Sequence, residues 1–260
     1  MFAKFRQHLQ LCSTLLSLRS LTSARQSLYF TTTMNAGANP RSLDDWQQRW
    51  TEGNTKWHEP NGNEMLWRHF DKIIKDTFPT KSANELKVFI PLCGKAHDIY
   101  YFYQRGLTVV GVEYAAQPIK EFFEENNLEA KQPNEIGVFT ETTDSRLCIG
   151  QGDLFTFTGS PGIAVVCQLK KDRPRYSKFI SSLLSSDGVH LITVPEYSLE
   201  EYVGTPRVAT KDDLVSVFDK MNVEYIDSRD GLAEGAYDSE KWKSRGLTSI
   251  FMKMYKMTHK

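Results

Sequence analysis

Residues 87–95 read KVFIPLCGK, and this stretch decides the fold class. Its first part is a short, mostly apolar run of the kind that forms a buried strand. The CGK turn then opens a segment with helical periodicity that continues to Gln104. A second short strand follows at 108–112, and Glu113 comes directly after it. Strand, turn, helix and strand in this order predict a parallel βαβ unit.

The rest of the chain continues this alternation. Further strands are predicted at 146–149, 163–168, 188–194, 223–226 and 247–257, and helices after Ser42 and at 65–78, 118–127, 174–184 and 211–221. Strands that alternate with helices indicate an α/β fold, Rossmann-like, with a mostly parallel sheet and helices on both faces. We expect one domain over 41–260, preceded by an N-terminal extension, 1–40.

The extension differs in charge from the domain. The chain has 32 acidic residues, yet the first of them is Asp44. Residues 1–33 are rich in serine and threonine and carry arginines among leucines, a composition typical of a mitochondrial presequence. A disordered extension before a true start at Met34 explains the same pattern. We therefore expect a cytoplasmic protein, or a mitochondrial one if residues 1–33 direct import.

Composition excludes several classes of protein. Lys+Arg and Asp+Glu number 32 each, so no basic field points to nucleic acid. No apolar run is long enough to span a membrane. The four cysteines show no Cys-x-x-Cys pair and the histidines no metal-ligand spacing, so we predict neither a zinc site nor a disulfide framework. A monomer with a small-molecule substrate is the expectation that remains.

Glu113 suggests a cofactor. Ligands of such sheets bind beyond the carboxyl ends of the strands. The turn at Gly94 lacks the glycines of a P-loop or of a dinucleotide-binding motif, yet Glu113 ends the next strand 19 residues later. A carboxylate there can accept hydrogen bonds from a ribose diol, and a ribose without a pyrophosphate indicates S-adenosylmethionine. A solvated acid at a strand end is the alternative.

Several segments resemble the thiopurine S-methyltransferase family. They are FIPLCGKA at 89–96, VGVE at 110–113, the tryptophan-rich entry at 43–58, EFFEENNL at 121–128 and FMKMY at 251–255. Together they cover most of the chain after the extension. The resemblance implies a class I methyltransferase sheet of seven strands with the last strand antiparallel. It also implies methyl transfer from S-adenosylmethionine to a small aromatic or heterocyclic thiol by in-line displacement.

The resemblance also implies which residues form the site. Its cofactor contacts fall on Trp46, Trp50, Trp57, Leu92, Cys93, Gly94, Glu113, Gly150 and Gln151. Its substrate-side positions fall on Trp57, Pro206, Arg207 and Lys241. An indole face suits a sulfonium cation, although tryptophans on a helix also serve as core residues. We assign no catalytic acid or base, because an aromatic thiol has an appreciable thiolate fraction near neutral pH.

One segment departs from the family. Residues 159–171 replace a longer segment that ends in Asp-Arg-Gly, and so an arginine beside substrate and cofactor is missing. Arg173 and Arg175 are nearby but belong to the next predicted helix. A variant transcript or gene-model error, a diverged substrate site and a loss of activity all explain the change. The alternative function is therefore a catalytically impaired or non-catalytic relative that keeps the fold, with or without cofactor binding.

Overall fold

The computed structural model describes residues 42–55, 59, 61–131, 139–157, 163–166, 173–204 and 207–260. Of residues 163–166 it describes the backbone. The predicted N-terminal extension, Trp57, Pro206 and most of the departing segment 159–171 lie outside the described residues.

Helices and strands alternate along the described chain. The helices are α1 (Leu43–Thr51), α2 (Glu64–Thr77), α3 (His97–Gln104), α4 (Ala116–Glu125), α5 (Arg173–Leu183), α6 (Lys211–Val217) and α7 (Ser239–Ser244). The strands are β1 (Lys87–Pro91), β2 (Thr108–Glu113), β3 (Phe139–Glu141), β4 (Leu147–Gln151), β5 (Ile163–Val166), β6 (His190–Tyr197), β7 (Met221–Asp230) and β8 (Ile250–His259).

The described strands form a sheet in the order β3-β4-β2-β1-β5-β6-β8-β7. Strand β1 pairs in parallel with β2 and β5, and β8 pairs antiparallel with both β6 and β7. The predicted mostly parallel sheet with an antiparallel last strand is therefore confirmed. Beyond the seven strands of the prediction, the described residues include β3, an antiparallel edge strand. Its three residues are too few to produce a recognisable hydrophobic period.

Both faces of the sheet are covered by helices, as predicted. One face packs on α2, α3 and α4, and its core contains Val88 and Ile90 of β1. The other face packs on α5 and α6, and its core contains Phe89 of the same strand. Successive side chains of a strand point to opposite faces, so β1 is apolar on both sides. This explains why it appears in the sequence as a continuous apolar run.

Several predicted boundaries change near the C-terminus. The helix predicted at 211–221 ends at Val217, and the strand predicted at 223–226 extends over Met221–Asp230. The strand predicted at 247–257 spans Ile250–His259, and the short helix α7 was not predicted. The extension arises because β7 pairs with β8 along nearly its whole length, with a bulge between Tyr225 and Asp227. Pairing with a distant strand is a tertiary effect, which local propensity does not report.

A carboxylate next to this bulge joins α2 to the sheet edge. Asp227 Oδ2 lies 2.7 Å from Nε2 of His69 and 3.5 Å from the guanidinium of Arg68. The hydrogen bond from His69 holds the pKa of Asp227 below its ordinary value of 3.8. A lowered folded-state pKa stabilises the fold above that ordinary value, and the stabilisation disappears as the pH falls through the lowered value.

We expect Asp227→Asn to lower the free energy of unfolding at pH 7 by about 1 kcal/mol. The difference from the wild type should shrink below pH 4 and vanish under strongly acidic conditions. Urea unfolding across this pH range measures it. Asp71→Asn removes an exposed carboxylate from the same helix, which pairs with Arg105, and serves as the control. A constant difference at every pH would contradict the prediction.

Candidate active site

The carboxyl end of β2 lies beside the turn between β1 and α3. Glu113, the last residue of β2, is 7% exposed. Its Oε2 accepts a hydrogen bond from the backbone N–H of Gly94 at 3.0 Å, and its Oε1 accepts one from Ala115 N–H at 2.9 Å. A single carboxylate therefore joins the β1–α3 turn to the β2–α4 turn, the two turns at which such sheets bind ligands.

The β1–α3 turn has an unusual backbone. Leu92 has a φ of +53° and Gly94 a φ of +51°. A positive φ is uncommon for leucine and marks a turn that its surroundings hold in place. The N–H of Cys93, between them, donates to the carbonyl of Val112 at 3.0 Å. Leu92 is half-buried, while Cys93 and Gly94 are buried.

Trp50 of α1 covers this turn. A Cβ placed on Gly94 would lie 3.0 Å from Cζ2 of Trp50, closer than ordinary side-chain contacts allow. Trp50 is 6% exposed, and Trp46, one turn earlier, is half-buried. Helix α1 begins after Ser42, as predicted, with a capping box in which Ser42 and Asp45 each accept a hydrogen bond from the other's backbone N–H. The tryptophan-rich helix thus lies over the glycine turn.

Cys93 has the properties of a packing residue. Its Sγ would lie 2.8 Å from a Cβ at Gly111 of β2, so the two residues fit closely. Burial raises the pKa of the thiol well above its ordinary value, and the charge of Glu113 adds to the rise. A protonated, enclosed thiol does not act as a nucleophile.

Lys95 has its partners within the fold. Its Nζ lies 2.8 Å from Glu121 and 2.6 Å from Glu125, both on α4. Burial opposes the charge of Lys95, and the two hydrogen-bonded carboxylates outweigh it and raise the pKa. The lysine of the CGK turn therefore ties α4 to the turn, in contrast to a P-loop lysine that binds phosphate.

Strand β4 brings two further predicted residues to this edge. Gly150 pairs with Val112, and Gln151 pairs with Glu113. Gly150 is buried and Gln151 is exposed. Gln151 also lines an open groove of about 660 Å³ between α4 and the β3–β4 edge. The predicted cofactor residues that the structure describes therefore lie on the ends of β1, β2 and β4 and on the covering helix.

Arg207 and Lys241 lie on segments that follow the carboxyl ends of β6 and β7. Lys241 Nζ is 2.7 Å from Asp238 Oδ2 and 4.7 Å from the ring centre of Trp242. Arg207 is exposed, and its charge acts on Tyr197, whose pKa burial raises. Tyr197 and Trp242 belong to one small apolar cluster. The structure thus brings these two substrate-side positions to the same apolar cluster.

A group of four charged residues centred on Glu59 was not predicted. Arg229 lies 3.5 Å from Glu59, and burial raises the pKa of Glu59 while Arg229 opposes the rise and Asp98 and Asp238 add to it. Asp98 is 4% exposed and accepts hydrogen bonds from Asn63 N–H at 3.2 Å and Trp67 Nε1 at 2.6 Å. These residues come from separate parts of the chain, so no local sequence signal joins them.

Solved methyltransferases share this architecture. A structure of an S-adenosylmethionine-dependent methyltransferase from Anabaena variabilis aligns with a TM-score of 0.53, at 14% identity, over 88% of this chain and 100% of that chain. The 1,6-didemethyltoxoflavin-N1-methyltransferase of Burkholderia thailandensis, solved with 1,6-didemethyltoxoflavin and S-adenosylhomocysteine, aligns with a TM-score of 0.51, at 14% identity, over 86% and 93% of the two chains. At this identity the likeness establishes the class I methyltransferase fold.

The family model for thiopurine S-methyltransferase matches residues 41–260. The chain belongs to this family. A probable thiopurine S-methyltransferase of Danio rerio is 34% identical over 232 residues, which cover 84% of this chain and 95% of that protein. The thiopurine S-methyltransferase of Rattus norvegicus is 32% identical over 237 residues, covering 84% and 92%. The predicted family, enzyme class and cofactor, S-adenosylmethionine, are confirmed.

The turn geometry fits the cofactor of the thiopurine S-methyltransferase family. Glu113 presents a buried carboxylate with two acceptor oxygens, and Gly94 leaves a space that a Cβ would fill. An aromatic side chain, Trp50, lies against the same turn. Acceptors for ribose hydroxyls, a close backbone approach and an indole face are the features that a nucleoside with a sulfonium group needs. In the described part of the chain, no group of three or more histidine, cysteine, aspartate or glutamate residues is arranged to hold a metal ion.

Arg173 and Arg175, which follow the segment 159–171 that differs from the family, both have contacts inside the fold. Arg173 donates to the backbone carbonyl of Val208 at 2.6 Å, and its guanidinium also lies 4.0 Å from Asp213. Arg175 lies 4.0 Å from the ring centre of Phe155. Arg173 therefore supports the segment next to Arg207, one of the predicted substrate positions.

Proposed function

We propose that this protein transfers a methyl group from S-adenosylmethionine to the sulfur of a small aromatic or heterocyclic thiol, such as a thiopurine. The observation that carries the proposal is the buried carboxylate of Glu113, which holds the Gly94 turn beneath Trp50. The match of residues 41–260 to the thiopurine S-methyltransferase family supports the same proposal. Glu113, Gly94 and Trp50 are stronger evidence for binding of the cofactor than for the choice of a particular thiol substrate.

In this proposal each group of cofactor residues contacts a different part of S-adenosylmethionine. The carboxylate of Glu113 accepts hydrogen bonds from ribose hydroxyls, using lone pairs beyond those that bind the two backbone amides. Leu92, Cys93 and Gly94 provide a close backbone approach. Gly150 and Gln151 flank the base, and Trp46, Trp50 and Trp57 cover the ligand. S-adenosylmethionine supplies a methyl group on a sulfonium, which is activated toward displacement by a soft nucleophile.

The residues on the substrate side position the thiol and support its charge. Lys241 and Arg207, together with Pro206 and Trp57, form this side in our proposal. A thiolate is the reactive form of the substrate, and nearby cations favour it. Alignment for in-line attack and exclusion of water then account for the rate enhancement, without a general base.

We further propose that the protein works as a monomer on small molecules and binds neither nucleic acid nor membranes. None of the helices in the described ranges has the length and apolar character that a membrane span requires. We place it in the cytoplasm, with mitochondria as the alternative if residues 1–33 act as a presequence.

The test combines calorimetry with a turnover assay on the full chain. We expect S-adenosylhomocysteine to bind with micromolar affinity, and a methylated product to form from 6-mercaptopurine in the presence of S-adenosylmethionine. Hypoxanthine, which carries oxygen in place of the sulfur, is the matched control and should give no product. Binding without turnover over a panel of thiols would favour the non-catalytic alternative. An absence of binding would contradict the proposal.

A further inference from the structure

Three residues of α1 face the two cofactor turns. Asp44, Gln47 and Trp50 recur at a spacing of three residues, which places them on one side of a helix. Asp44 accepts a hydrogen bond from the hydroxyl of Tyr114 at 3.0 Å, and Gln47 accepts one from the N–H of Ala116 at 3.2 Å. Trp50 lies against Gly94. One helix face therefore reaches both the β1–α3 turn and the β2–α4 turn.

Helix α1 has a mostly polar surface. Trp50 is the one buried side chain of the helix, and the exposed side carries polar residues. The cap at its start forms between Ser42 and Asp45, so it does not require Asp44. The hydrogen bonds of Asp44 and Gln47 on the inner face therefore contribute, beside the buried indole, to the position of the helix.

Tyr114 is well placed to set that position. It follows Glu113 directly, so its backbone moves with the carboxylate that holds the Gly94 turn. Its hydroxyl donates to Asp44, in the first turn of α1. This hydrogen bond and the negative charge of Asp44 raise the pKa of the phenol, which therefore stays protonated and remains a donor at neutral pH.

We propose that Tyr114 is a positioning residue for the cofactor: through its hydrogen bond to Asp44 it holds α1, and with it Trp50, over the Gly94 turn. The inference rests on the proposed function, since it takes this turn as the cofactor site. Because the contact joins the covering helix to the cofactor turns, its loss changes cofactor affinity and leaves the thiol side unaltered.

Tyr114→Phe tests the inference, because it removes the hydroxyl and keeps the ring. We expect the Kd for S-adenosylhomocysteine and the KM for S-adenosylmethionine to rise about fivefold, the effect of one hydrogen bond near the surface. The KM for the thiol and the kcat at saturating cofactor should stay within about twofold. Asp44→Ala should give a similar rise, and the double variant should be no weaker than either single one, because both changes remove the same bond.

Tyr103→Phe is the matched control. The hydroxyl of Tyr103 also donates to a carboxylate at 3.0 Å, that of Asp144, but this pair does not contact α1. We expect this variant to bind the cofactor as the wild type does. Unchanged cofactor affinity in Tyr114→Phe, an equal loss in Tyr103→Phe, or additive effects in the double variant would overturn the inference. Failure of the wild type to bind S-adenosylhomocysteine would instead refute the proposed function.

Discussion

Replacement of Glu113 by glutamine is expected to lower the affinity for S-adenosylhomocysteine at least about 100-fold, because each hydrogen bond to a charged group contributes about 1.5–3 kcal/mol. The carboxylate accepts hydrogen bonds from Gly94 N–H and Ala115 N–H, one on each oxygen. A glutamine offers one acceptor oxygen and turns an NH₂ group toward the other amide. The variant therefore loses one acceptor for the ribose hydroxyls. It also weakens the connection between the β1–α3 turn and the β2–α4 turn.

Calorimetric titration measures the affinity, and thermal unfolding separates the loss of binding from a loss of folding. Glu224→Gln is the matched control, since Glu224 is an ion-paired carboxylate on β7, at the opposite edge of the sheet from β3. We expect it to bind the cofactor normally. If Glu113→Gln remained folded and bound S-adenosylhomocysteine as tightly as the wild type, the cofactor would have to lie elsewhere.

Gly94→Ala is expected to reduce cofactor affinity by more than about tenfold, since it combines backbone strain of about 1–2 kcal/mol with a steric conflict. The glycine has a φ of +51°, in the left-handed region that side chains disfavour. Its new Cβ would lie 3.0 Å from Cζ2 of Trp50, so the indole or the turn must move by a few tenths of an ångström. The shift occurs where we place the cofactor.

Gly246→Ala separates strain from steric conflict. Gly246 also has a positive φ, +84°, but a Cβ there meets no atom within 4 Å. Both variants should lose stability to backbone strain in urea unfolding, whereas only Gly94→Ala, which adds the steric conflict, should also lose cofactor affinity. Equal affinities for the two variants would show that contact between residue 94 and Trp50 plays no part in binding.

Much of the fold could be predicted because local and tertiary preferences agree. The apolar run of β1 is buried on both faces, and helix α2, predicted at 65–78, spans Glu64–Thr77 with a regular apolar face. The prediction differs from the structure where strand pairing overrides local propensity, as in the long β7. It also differs where an element is too short to show a hydrophobic period, as in β3.

The proximity of Gly94 and Glu113 was easier to predict than that of the charged residues around Glu59. Gly94 follows β1 and Glu113 ends β2 in one βαβ unit, so sequence order alone places them at neighbouring strand ends. Glu59, Asp98 and the pair Arg229 and Asp238 come from three separate parts of the chain. Their proximity depends on how the loops after β1 and β7 fold over the sheet edge, which has no local pattern.

The sequence by itself determined the order of strands and helices, the family and the acidic residue that ends β2. These features depend on hydrophobic periodicity and on short motifs, which act over a few neighbouring residues. Only the tertiary structure decided that Trp50 lies against Gly94, that Tyr114 binds Asp44 and that Lys95 pairs with α4. Such contacts join residues far apart in the chain, and the packing of whole elements brings them together.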